Sequence, residues 1–162
     1  MRKQIFQAIA QRISERVGDV KFIDLWNNNV AALSGGAVWP TPALFVEFEE
    51  IEWRQQGNAA RMGDVAVRLH IITRAITTNG HTDQRQAQAL AYLDLIDRVN
   101  AAMQGLRGEH FAAFQLTTSA TNHEHAELIE SVERYITRAQ DTSAMSPSSP
   151  AHVGIEVSIH HG

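Results

Sequence analysis

Ala43-Leu-Phe-Val-Glu-Phe-Glu-Glu-Ile-Glu-Trp53 and Asp64-Val-Ala-Val-Arg-Leu-His-Ile-Ile-Thr-Arg-Ala-Ile76 decide the fold. In the second stretch Val65, Val67, Leu69 and Ile71 fall on one side of an extended chain, and Arg68, His70 and Arg74 on the other. In the first, Leu44, Val46 and Phe48 alternate on one face, whereas Ile51 and Trp53 have the opposite parity, which a bulge near Glu49-Glu50 would reconcile. Between the two, Arg54 to Met62, with Gln55, Gln56, Gly57 and Asn58, reads as the turn of a long hairpin.

Outward from the hairpin, the pattern becomes helical. Ile5, Phe6, Ile9, Ile13 and Val17 recur at three- and four-residue steps and Gly18 is placed to end that helix. Asp83 and Gln86 form a capping-box-like start to a second helix, whose stripe reads Ala89, Tyr92, Leu93, Ile96, Val99 and Met103, closed by Gly105 and Gly108. Val20 to Trp26 reads as an edge strand or an extended arm running into a turn at Asn27-Asn-Asn29, and Ala31 to Pro42 as a loop, because Gly35, Gly36, Pro40 and Pro42 exclude a helix or a central strand. Phe111 to Thr121 alternates at Phe114 and Leu116 and is expected as a strand. Leu128 to Gln140 fits both periods, with strand favoured. A Ser/Pro-rich stretch at about 141–151 is expected to be a flexible loop, followed by a last strand through Val153, Ile155, Val157 and Ile159. The expectation is one α+β domain over residues 1–162: a mostly antiparallel sheet with a long hairpin, packed against two amphipathic helices.

Composition narrows the chemistry. The chain has 162 residues, no cysteine, 14 Lys plus Arg and 18 Asp plus Glu, for a net charge of -4. Disulfides and thiolate metal sites are excluded, and the scattered cations form no stripe for tracking phosphates. No apolar run is long enough for a membrane span. His123-Glu-His125 would share a face in a strand, and with a nearby carboxylate could serve a small metal-dependent hydrolase, but the segment lacks HExxH or facial carboxylate spacing. Glu47, Glu49, Glu50 and Glu52 could supply paired catalytic carboxylates, but Glu47 and Glu49 fall opposite Leu44, Val46 and Phe48, as a solvated or partner-facing surface does. No serine lies in a GxSxG elbow and Gly35-Gly36 is not a phosphate loop. No enzyme, cofactor or metal is therefore expected. Trp39, Trp53, Arg54, Arg61 and Arg68 are the candidate protein-contact residues, Trp and Arg being favoured at interfaces.

The order of helix, Pro-x-Pro loop, long hairpin, second helix and further strands resembles the tail-terminator (tail-completion, minor tail) proteins of long-tailed bacteriophages and prophages. Pro40-Thr-Pro-Ala-Leu-Phe-Val-Glu-Phe48 looks like their proline-led first hairpin strand, and Gly63-Asp-Val-Ala-Val-Arg-Leu-His-Ile71 like its return strand. The segments Thr121 to Ala126 and Thr142 to Pro150 depart from the pattern. The resemblance implies a structural subunit of the virion tail, assembled in the bacterial cytoplasm. Its partners would be other copies in a ring, expected to be a hexamer, with the tail-tube protein on one side and the head-tail connector on the other. DNA would only pass through an acidic lumen. Another neck or connector protein of the same particle is the alternative structural reading.

Overall fold

The computed structural model describes residues 1–29, 39–122, 124 and 126–145. Helix α1 spans Arg2–Arg16, and β1 (Phe22–Leu25), β2 (Ala43–Phe48), β3 (Trp53–Gly57) and β4 (Ala60–Arg74) follow. Helix α2 is Gln86–Met103, and β5 (Gln115–Asn122) and β6 (Leu128–Asp141) complete the described elements. The six strands form one sheet in the order β1-β2-β4-β6-β5, with β3 also paired to β4. Only β1 and β2 run parallel; the other pairs are antiparallel. Two helices on a mostly antiparallel sheet make this an α+β fold, as the hydrophobic patterning predicts.

Strand β4 is the spine, pairing β2 and β3 on one side and the whole of β6 on the other. Its Val65, Val67, Leu69 and Ile71 are buried in the same core as Ile5, Ile9, Ile13 and Val17 of the α1 segment and Leu95, Val99, Ala102 and Met103 of α2. Phe111 and Phe114 complete this core. No side chain caps the start of α1, so its burial holds it in place: three wholly buried isoleucines each contribute roughly 2 kcal/mol. An acidic residue at Ile9 would break that contact.

The bulge in the first hairpin strand is real. Phe48 stands opposite Val67 and Trp53 opposite Gly63, so Glu49 to Glu52 face only Asp64 to Ala66. The extra residue reverses the alternation and returns Ile51 and Trp53 to the core side. Gly63 permits this, because a Cβ there would lie 2.7 Å from the Glu52 carbonyl oxygen. The hairpin turn is tighter than the sequence suggests. Trp53, Arg54 and Gln55 pair with β4, and only Asn58 and Ala59, both at positive φ, form the tip.

Three other expectations need correction. Asp83 does not cap α2. Its carboxylate accepts the Arg85 and Asn79 amides and pairs with the Arg85 guanidinium, so the chain makes a turn first and the helix begins at Gln86. The predicted stripe of α2 holds at Val99 and Met103, which are buried, and at Ile96, which packs on the core, but Leu95 and Ala102 complete it in place of Leu93, which is exposed. The strand expected from Phe111 begins at Gln115. Phe114 is buried ahead of it, and Leu116 is exposed within it.

Leu128–Asp141 is a strand. Its ambiguity has a physical cause: the side facing the helices carries Ser131, Glu133, Tyr135, Thr137, Ala139 and Asp141, all buried and mostly polar. Val132 and Ile136 sit instead on the opposite face, opposite His70 and Ala66. The segment 30–38 of the first loop, the Ser/Pro residues 146–150, the strand expected over 153–159, and His123 and His125 lie outside the described residues.

Candidate interaction surface

The sheet face away from the helices carries a belt of charge. Arg68 of β4 and Arg134 of β6 are directly opposed, an arrangement that repels unless an anion intervenes. Glu49, presented by the bulge, is that anion. It accepts Arg134 Nε at 2.8 Å and Nη2 at 2.9 Å, and Arg68 Nε at 2.7 Å. The Arg134 bond is the main cause of its lowered carboxyl pKa, partly opposed by burial. Arg138 and Asp64 extend the belt at 3.4 Å. Beside it lies a groove of about 470 Å³ whose lining includes Glu50, Glu52, Arg54, Met62, Asp64 and Arg138.

Further along the same face, His70 is enclosed. Its Nδ1 lies 2.7 Å from Glu130 and its Nε2 3.0 Å from Glu47, while the Trp26 indole stacks on the ring at 3.8 Å and an interplanar angle of 2°. Each ring nitrogen therefore has a carboxylate within hydrogen-bond reach, and the indole closes one face of the ring. Asn122 adds a bond to Glu130. The cluster ties the end of β1 to β2, β4, β5 and β6. His70 lines neither the charged groove nor the cleft of about 400 Å³ beside α2.

The five candidate contact residues do not form one patch. Trp39 packs edge-on against Phe45 at 5.0 Å in a small aromatic cluster with Phe22 and Trp26, and its buried indole nitrogen has no hydrogen-bond partner among the described residues. Trp53 is half-buried against the main core, with the Arg61 guanidinium 4.9 Å from its ring centroid. Arg61 also donates to Asp141 through Nη2 at 2.7 Å and Nε at 3.0 Å, and Arg68 is bound to Glu49. Arg54 differs: it is exposed in the groove and makes no ion pair with any described residue.

Sequence reasoning missed the polar cluster under α2. Glu133, 2 % exposed, accepts Asn100 Nδ2 at 3.1 Å and Ser119 Oγ at 2.6 Å, and Tyr135 donates its hydroxyl to Asn100 Oδ1. Burial, reinforced by the charge of Glu133, raises the Tyr135 pKa. The available signal was parity, since Glu133 shares its face with Tyr135. The edge strand β5 was also underestimated: seven of its eight residues are exposed, on both faces.

Among the described residues no group of three or more His, Asp or Glu side chains is arranged to hold a metal ion, and no helix is long and apolar enough to cross a membrane. The chain matches no protein-family model and no curated protein sequence.

Proposed function

We propose that this chain is a structural subunit of a phage or prophage tail, a terminator-like protein that assembles with its own copies into a ring, caps the tail tube and joins tail to head. The observation that carries this reading is β5. Gln115-Leu-Thr-Thr-Ser-Ala-Thr-Asn122 is a sheet edge without charge or proline, and edges of that kind invite pairing unless something covers them. A ring of copies provides that cover, and a heterologous contact closes one naturally. The α+β architecture, the bulged hairpin and the charged open face agree with an assembly role.

Light scattering and electron microscopy of the full-length protein, alone and with polymerising tail-tube protein, test this. The expected result is a ring, seen free or at one end of each tube, with tube growth stopped. A protein that stays monomeric with tubes present and leaves their length unchanged would reject the reading. Binding to the connector but not the tube would move it to the neck.

A further inference from the structure

We infer that the ring contact is strand addition: β5 of one copy pairs with the outer edge of β3 in the next. This rests on the ring reading and names its interface. Strand β5 pairs only with β6, so no described residue forms a ladder with its outer main-chain donors and acceptors. Its partner must offer a second free edge, and two exist at the other end of the sheet.

The β1 edge is the poorer of these. It is only four residues long, and its Leu25 amide is already taken by the Asp24 carboxylate. The β3 edge is better. Strand β3 has five residues, pairs with β4 alone, and is exposed from Arg54 through Gly57. Because β1 lies only against Ala43 to Val46, the row it begins is empty alongside β3 among the described residues. A strand entering there continues that row.

The side chains are compatible. β5 carries no charge and β3 only Arg54, so like charges do not meet, and Gln55 and Gln56 would lie against a row of Thr, Ser and Gln. The two edges are different surfaces, which makes the contact head-to-tail and able to close a ring. Self-pairing of β5 would stop at a dimer.

The absence of native cysteine makes cross-linking a clean test. Gln56 lines the open-face groove, and Thr118 and Ala120 pair with Arg134 and Val132 on the same face. In the full-length chain, Gln56→Cys combined with Thr118→Cys or Ala120→Cys should form, on oxidation, an intermolecular ladder reaching the ring number. Each single variant should stay uncross-linked, with circular dichroism like the parent. Dimers from Thr118→Cys or Ala120→Cys alone would overturn the inference in favour of β5 self-pairing. Rings seen by microscopy without any ladder would overturn it while leaving the ring reading intact. No ring, alone or on tubes, would defeat both.

Discussion

Arg134 reaches across β4 to hold both carboxylate oxygens of Glu49, at 2.8 and 2.9 Å, and so ties the bulge to the far side of the sheet. The same carboxylate separates Arg134 from the facing Arg68. Glu49→Gln removes the charge, leaves the two guanidinium groups opposed, and should cost about 1 kcal/mol in urea unfolding, a modest figure because Arg68 is half-exposed. Arg134→Lys should not preserve the parent stability, since a lysine cannot make the two-point contact. An unchanged Glu49→Gln midpoint would show that the bulge needs no such anchor.

Gly63 makes a sharper demand. Added to this backbone, a Cβ meets the Glu52 carbonyl oxygen at 2.7 Å and the Ile51 and Trp53 side chains at 3.1 Å. Backbone and packed side chains cannot both yield, so Gly63→Ala should destabilise by about 1–3 kcal/mol. Gly18→Ala, with nothing within 4 Å, should stay within about 0.5 kcal/mol. Thermal melts of both variants decide this; equal melting temperatures would show that the bulge tolerates a methyl group.

The parts of the fold that could be read from sequence are those whose period is local. Val65 to Ile71 and Ile5 to Val17 show their buried faces directly, and the parity break at Ile51 and Trp53 exposes the bulge. Strand β6 hid its character because its core side is filled by Ser131, Glu133 and Thr137, whose hydrogen bonds lie on distant segments. Arg61 reads as a free interface residue only until Asp141, eighty positions away, is placed beside it. The stripe of α2 is legible at Ile96, Val99 and Met103 but not at Leu93, which is as apolar as the buried Leu95, and only tertiary packing chooses between those two.

Arg61 and Asp141 also predict behaviour in acid. The Arg61 hydrogen bonds, followed by that from the Ser143 amide, lower the Asp141 carboxyl to about 2. A folded pKa below the unfolded value of about 3.9 means that the stabilisation is present above pH ~4 and lost as pH falls towards ~2. With Arg61 41 % exposed, Asp141→Asn should cost about 1 kcal/mol at neutral pH. Its disadvantage should shrink through pH ~3 and vanish only below pH ~2. Glu49 and Asp83 have the same sign and remain in both proteins, so the difference in urea unfolding between parent and variant isolates Asp141. A difference independent of pH would assign its effect to packing instead of charge.

Tyr135 sets the alkaline limit. Burial, followed by the charge of Glu133, raises its phenol above the ordinary value of 10.0, so the folded state keeps the proton that the unfolded chain would release. Its stabilisation is therefore complete below pH ~10 and falls above it by about 1.4 kcal/mol per pH unit. Tyr135→Phe loses the hydroxyl bond to Asn100 and should be about 1 kcal/mol less stable at pH 7. It should also lack the alkaline slope from this residue, so the two unfolding curves converge above pH ~10 and cross near pH ~11. Urea unfolding from pH 7 to 11.5 reads the crossing. Parallel curves across that range would mean that water reaches the phenol in the folded protein and that the cluster under α2 is open.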